Sequence, residues 1–222
     1  MLVLGLTGSI GMGKSVAATM LRRMGLPLHD SDRAVHRLLA KGGGAVAEIE
    51  AAFPGVVVDG AVDRGRLAER VFEDPEALAC LEAILHPAVR RATREFLKQQ
   101  ARNGRWLAVL DIPLLFETGG ESLCDAVAVV SAPRFVQEAR VLGRCDMTPA
   151  RFNAILAKQM SDREKRRRAD FVVSTGLSKS ATLRQLRAIV TLLRERPERY
   201  RRANARHLQA TAVRPKPRRF RA

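Results

Sequence analysis

Eight consecutive residues, Gly8-Ser9-Ile10-Gly11-Met12-Gly13-Lys14-Ser15, carry the strongest chemical signal in the chain. They spell G-x-x-x-x-G-K-S, in which glycines admit backbone angles and close approaches that a Cβ blocks, so that successive N–H groups can close around an anion. Lys14 has the length to reach β- and γ-phosphate oxygens, and the Ser15 hydroxyl is the expected Mg²⁺ ligand. The dinucleotide pattern G-x-G-x-x-G does not fit over Gly8, Gly11 and Gly13, and a Lys-Ser ending belongs to phosphoryl chemistry. A bound nucleoside triphosphate is the implied ligand.

Four other groups of residues bear on which reaction the triphosphate serves. Asp30-Ser31-Asp32 offers a carboxylate that can take a proton from an acceptor hydroxyl or orient a metal-bound water, while either aspartate also suits the cap of a following helix. Asp111 ends an apolar run, where a carboxylate either assists magnesium or simply caps the strand. His86 precedes Pro87, a setting in which an imidazole is more often a structural hydrogen-bonding group than a reactant. Arg140, Arg144 and Arg163, with Arg151 and Arg166 to Arg168, are able to form a lid over phosphates, since guanidinium groups pair with phosphate oxygens in a two-pronged fashion. A solvated helix face accounts equally for such charges. No N-K-x-D stretch for reading guanine is present.

These residues need a frame. Leu2 to Leu6 reads as a buried strand feeding the glycine loop, and apolar spacing from Val16 to Met24 predicts the helix after it. Strands are further predicted at Leu26 to His29, Trp106 to Asp111, Ala126 to Val130 and Phe171 to Val173. Between the second and third lies mostly helix: Ala34 to Leu39, Ala45 to Phe53, Arg66 to Phe72 and Pro75 to Leu85, with a small loop or hairpin around Asp59-Gly60. His86-Pro87 is expected to break the chain before helix resumes over Val89 to Ala101, because proline disfavours helical geometry in the residue before it. Pro133 to Arg168 is helical and arginine-rich, with Thr148-Pro149 as a helix start, and Ser180 to Leu193 is a last amphipathic helix. Strands joined by long helical crossovers predict an α/β fold with a doubly wound parallel sheet.

Length and charge bound the rest. The 222 residues suffice for one α/β core with an appended region. Cys80, Cys124 and Cys145 have neither zinc nor disulfide-framework spacing, and Met1 to Leu6 is too short for a secretion signal or a membrane span, so a cytoplasmic protein without a membrane partner is expected. The formal charge of +16 is concentrated toward the end, where Arg194 to Ala222 is arginine- and proline-rich. That reads as a basic tail able to touch nucleic acid nonspecifically, without the interleaved aromatics of a base-stacking surface. On these residues alone, the open readings are a small-metabolite or nucleotide kinase and a nucleic-acid-dependent ATPase or nucleic-acid-binding module.

The ordered combination of Leu6-Thr7 with the glycine loop, Asp30-Ser31-Asp32, Asp59-Gly60 with Asp63-Arg64, Leu67 and Val71-Phe72, Leu85-His86-Pro87, and Pro113-Leu114-Leu115-Phe116-Glu117 resembles the dephospho-coenzyme A kinase family over roughly residues 2 to 176. The resemblance implies a P-loop NTPase-type core at about 1–31, 104–133 and 170–197, a helical coenzyme A part at about 32–103, an arginine-rich helical lid at about 134–169, and a basic tail at 198–222. It implies ATP and Mg²⁺ as the reagents, with dephospho-coenzyme A phosphorylated on its ribose 3′-hydroxyl. By motif position Asp32 is the acceptor-activating base, with Lys14 and Arg140 acting on the transferred phosphate. Gly8, Gly11, Met12, Gly13, Lys14, Ser15, Val16 and Arg144 hold nucleotide, Ser15 holds the metal, the Ser174 to Ser178 loop lies near adenine, and Asp32, His86, Leu115 and Glu117 meet the acceptor. Two departures stand out: Ser9 follows the first loop glycine in place of another glycine, and Ser31 replaces an alanine. Neither removes a functional group. The resemblance carries no oligomeric state.

Overall fold

A computed structural model describes residues 1–72, 74–145 and 147–200. In chain order its elements begin with β1 (Leu2–Thr7), α1 (Lys14–Arg23), β2 (Leu28–Asp30), α2 (Ser31–Leu39), α3 (Val46–Ala52), β3 (Val57–Val58), β4 (Ala61–Val62), α4 (Arg64–Val71) and α5 (Pro75–Arg102). They continue with β5 (Leu107–Asp111), β6 (Ala126–Ser131), α6 (Arg134–Leu142), α7 (Pro149–Ala157), α8 (Asp162–Arg168), β7 (Phe171–Ser174), α9 (Lys179–Glu195) and α10 (Pro197–Tyr200).

The five longer apolar runs pair side by side in the order β2-β5-β1-β6-β7, each neighbouring pair parallel. A parallel sheet covered on both faces buries every residue of its central strands, which is why β1, β5 and β6 lack an alternating polar pattern. The faces nevertheless separate with period two. Leu2, Leu4, Leu6, Val109 and Val130 face α1 and α9 through Leu21, Leu186 and Leu193. Val3, Leu110, Val127 and Val129 face the other way, onto Leu97 of α5 with Leu115 and Phe116. Truncating a wholly buried leucine in either layer costs about 2–5 kcal/mol.

Between β2 and β5 the chain builds a second, smaller core from Leu39, Ile49, Phe53, Val56, Val62, Leu67 and Leu81. Its hairpin turns at Asp59 and Gly60, with φ of 52° and 80°, the pair of positive angles that a tight two-residue connection demands. The expected break at His86-Pro87 does not occur. Instead α5 runs unbroken for 28 residues with Pro87 inside it. Proline forfeits one helical N–H bond, but Leu81 is anchored in the small core and Leu97 in the sheet core, so packing at both ends outweighs the local defect.

The chain stays docked to the end of the described residues, where the Tyr200 ring packs against Phe171 at 5.3 Å. The basic tail expected after 197 lies outside the described residues from 201 onward. Among the described residues no helix is long and apolar enough to cross a membrane.

Candidate active site

Strand register brings the chemistry to one edge. Leu6 lies beside Asp111 and Asp111 beside Asp30, so β1, β5 and β2 end level with one another, and the loop after β1 wraps the start of α1. Gly8 permits the loop to pass close over β6: a Cβ there would sit 2.4 Å from Val130 Cγ2. Gly13, at φ 85°, is the residue from which α1 starts, aiming that helix's free N–H groups into the loop. Met12 is buried beneath, its sulfur accepting from Ala132 N–H and its carbonyl accepting from the Thr175 hydroxyl at 2.7 Å.

Side chains complete two adjoining hollows. The larger, about 730 Å³, is lined by Gly8, Ile10, Gly11, Gly13, Lys14, Ser15 and Val16 of the loop, and across it by Arg140, Arg144, Gln159, Thr175 and Leu177. The smaller, about 320 Å³, lies between α5 and the segment after β5, with Val89, Ile112 and Leu114 as apolar wall and His86, Arg90 and Arg94 as polar wall. Asp32 and Pro113 line both. The hollows therefore meet at a carboxylate.

The two aspartates of Asp30-Ser31-Asp32 divide the roles that the sequence left open. Asp30 Oδ1 accepts from Arg33 N–H at 3.0 Å and so caps α2, whereas Asp32 is exposed to both hollows. Asp111 holds Lys14, with Nζ 2.5 Å from Oδ1. Burial pushes the Asp111 carboxyl above the usual range; the Lys14 ammonium pulls it down, and the charges of Asp30 and Asp32 push it up again. Arg140 donates to the Thr175 carbonyl at 2.6 Å, lying across the loop toward Gly11.

Behind Asp32, His29 is buried with Nε2 3.1 Å from Thr93 Oγ1, and Thr93 donates its own proton to the Val89 carbonyl. One hydroxyl has one proton, so Nε2 is the donor to Thr93. Burial lowers the His29 pKa, helped by the nearby Arg37 cation and opposed by Asp30.

Two expected substrate contacts lie elsewhere. The segment after β5 turns on itself, held by the bond from Thr7 Oγ1 to the Pro113 carbonyl, and its side chains part company there. Leu114 and Ile112 enter the smaller hollow, while Leu115 is wholly buried in the sheet core and Glu117 faces α8, where it meets Lys165 and the Met160 N–H. Neither Leu115 nor Glu117 lines either of these two hollows. Of the arginines expected over the phosphates, Arg140 and Arg144 line the loop hollow. Arg168 instead pairs with Glu121 and stacks on Phe116, and Arg163 and Arg167 line a separate surface recess.

Arg90, Arg94, Thr93 and Gln159 were missed by the sequence reading. His86, Arg90 and Arg94 stand at i, i+4 and i+8, a single stripe on a helix. The assumed break at Pro87 hid that signal.

A parallel sheet with a glycine loop and lysine at its carboxyl edge, facing a second hollow across an aspartate, defines a P-loop phosphotransferase class of protein. Residues 2–179 match the family described as dephospho-CoA kinase. Curated dephospho-CoA kinases from Paramagnetospirillum magneticum and Mesorhizobium japonicum are 62% and 55% identical, each across 87% of this chain and across 92% and 98% of their own lengths. This chain belongs to the dephospho-CoA kinase family. A solved Thermus thermophilus protein superposes with a TM-score of 0.73 at 36% identity, over 87% of this chain and 97% of that one. The dephospho-CoA kinase from Campylobacter jejuni, at 23% identity and a TM-score of 0.60 over 85% and 95%, shares the fold.

Proposed function

We propose that this protein transfers the γ-phosphoryl group of ATP to the ribose 3′-hydroxyl of dephospho-coenzyme A, completing coenzyme A. The observation that carries this reading is Asp32, which borders the loop hollow and the second hollow at once. A hydroxyl bound in the second hollow meets the carboxylate on the side facing the phosphate loop, as an in-line transfer requires.

The loop N–H groups and Lys14 draw the triphosphate into the larger hollow, with Arg140 and Arg144 over it. Lys14 must then turn from Asp111 to the phosphates, which leaves a buried carboxylate in need of another cation. The residues present fit Mg²⁺: Asp111 and the Ser15 hydroxyl, both hard oxygen donors, would hold it. When bound, the metal neutralises charge on the β- and γ-phosphates. Asp32 takes the acceptor proton late, since the transition state is loose and little proton transfer is needed before the P–O bond to ADP has lengthened. On the acceptor side, Arg90 and Arg94 suit the pyrophosphate of dephospho-coenzyme A, and Val89, Ile112 and Leu114 suit its less polar parts.

The purified protein with MgATP should phosphorylate dephospho-coenzyme A in preference to adenosine, AMP, pantothenate and shikimate. Preference for any of the other four would overturn the acceptor assignment while leaving the kinase chemistry in place.

A further inference from the structure

Among the described residues, the buried side-chain atoms with no hydrogen-bond partner are Glu117 Oε2, Glu121 Oε2, Asp162 Oδ1 and Lys165 Nζ. All four belong to the seam where α8 meets the turn after β5. Lys165 has no exposed surface, and its Nζ lies 2.9 Å from Glu117 Oε1 without the angle of a proper hydrogen bond. Buried charges in imperfect geometry do little for stability, and apolar side chains of like size often do better. Something other than stability is the better reason for this pair.

The contacts of Glu117 show what that is. The same Oε1 accepts from Met160 N–H at 2.9 Å. The preceding residue, Gln159, extends into the nucleotide hollow, and its Oε1 accepts from Ile10 N–H of the phosphate loop at 3.1 Å. On the other side of Ile10, Gln137 of α6 donates to the carbonyl at 2.7 Å. Ile10 is thus gripped on both sides by glutamine amides, one of them hanging from a junction that Glu117 ties down. The remaining contacts of α8 hold it to the core as well: Asp162 accepts from Ser131 Oγ at 2.8 Å, and Arg168 pairs with Glu121.

We infer that Glu117 and Gln159 are positioning residues forming a latch: Glu117, neutralised by Lys165, fixes the α7–α8 junction, and Gln159 transmits that position to Ile10 in the phosphate loop. The inference rests on the proposed ATP site and adds residues that touch neither acceptor nor transferring oxygen. Its consequence is that α8, expected to be part of the lid, belongs to the fixed frame. With the latch in place the loop keeps its shape at the γ-phosphate end and the hollow stays closed to water. Without it, ATP still binds through Lys14 and the other loop amides, but the γ-phosphoryl group is held less accurately.

The test uses the full chain with MgATP, with and without dephospho-coenzyme A. It reads kcat, both KM values, ADP released per acceptor phosphorylated, thermal midpoint, and amide hydrogen exchange at Ile10. Gln159→Leu should lower kcat by about tenfold to a hundredfold, the range for a small misplacement of reacting groups. ATP KM should hold, ADP release without transfer should increase, and Ile10 exchange should accelerate. Glu117→Leu combined with Lys165→Met strands no charge, so it should melt no lower than Glu117→Gln despite losing the acceptor for Met160 N–H, and it should reproduce that kinetic pattern. Glu117→Gln keeps a carbonyl for Met160 and should retain more turnover while melting lower, because it leaves Lys165 unpaired.

A purely structural pair predicts the reverse order, with the double variant fully active; that result, or unchanged coupling and Ile10 exchange in Gln159→Leu, overturns the latch. Should the double variant fail to fold, Gln159→Leu decides alone, its side chain being only half-buried. A wild-type protein inert toward dephospho-coenzyme A would sink the acceptor assignment instead, since Ile10 exchange and ADP release by ATP alone still report on the latch.

Discussion

The two hollows that meet at Asp32 are built in different ways. On the nucleotide side the phosphate cradle is contiguous main chain, a loop eight residues long leading into the first N–H groups of α1 with a single lysine, and distant residues such as Arg140, Gln159 and Thr175 close it over. The acceptor side is made of side chains drawn from α2, α5 and the turn after β5, separated by up to ninety-two positions from Ser31 to Leu123. A cradle of backbone amides recognises what all nucleoside triphosphates share, whereas an assembly of distant side chains can be altered one residue at a time. Chemistry is therefore concentrated on the first side and substrate choice on the second. Substitutions should separate accordingly, turnover failing at the boundary and in the loop, acceptor affinity failing along α5.

The largest effect is expected at the boundary itself. Asp32→Asn should reduce kcat by about a hundredfold to ten-thousandfold, the usual range for a general base, with ATP KM within a fewfold. Asp30→Asn keeps an oxygen for the Arg33 N–H, so the α2 cap survives and turnover should stay within a fewfold. Saturating kinetics on both variants, with chemistry shown to limit the rate, check the division. A large loss in Asp30→Asn with a small one in Asp32→Asn would exchange the roles.

Lys14→Ala comes next, at about a hundredfold to a thousandfold in turnover, because a fixed charge aimed at the developing negative oxygens is removed. It also strands Asp111, which is 5% exposed and then lacks its ammonium. Near-normal turnover would end the contrast between the two sides.

Arg90→Ala and Arg94→Ala sharpen the contrast from the other direction. Each should raise KM for dephospho-coenzyme A by about tenfold, as expected for losing one charged hydrogen bond, and leave ATP KM alone. Equal rises in both KM values would mean that α5 serves both substrates.

The smallest effect is one of pH. His29 lies on the seam between the sheet and α5, and its folded pKa is lowered, burial being the chief cause. Below about pH 6.5 the unfolded chain binds a proton that the folded chain refuses, so this histidine withdraws stability as pH falls from there through the folded pKa. Thermal midpoints measured from about pH 7 to 5.5 should decline more steeply for the wild type than for His29→Asn. Parallel declines would show that the imidazole does not sense this range.

The glycine loop, the five longer apolar runs with their helical crossovers, and a reversal of the chain at Asp59-Gly60 were legible in the amino-acid order, because each depends on neighbours a few positions away. Local reading went astray where distant packing decides. Pro87 is carried inside α5 because Leu81 and Leu97 are anchored in different cores, and only the continuous helix places His86, Arg90 and Arg94 in one row. The Pro113 to Glu117 motif was visible as a motif, but which of its side chains meets solvent depends on how the turn is pinned to Thr7, and that turned Leu115 and Glu117 away from the hollows.

By itself, then, the sequence determined a phosphate cradle, a parallel α/β frame and the two aspartates from which the boundary residue had to come, since backbone conformation and hydrophobic period are properties of short stretches. Only the tertiary structure decided that Asp30 caps while Asp32 faces both hollows, that Lys14 rests on Asp111 ninety-seven positions away, and that Gln159 reaches Ile10. Those outcomes depend on strand register and helix packing, which bring together side chains that no local pattern relates.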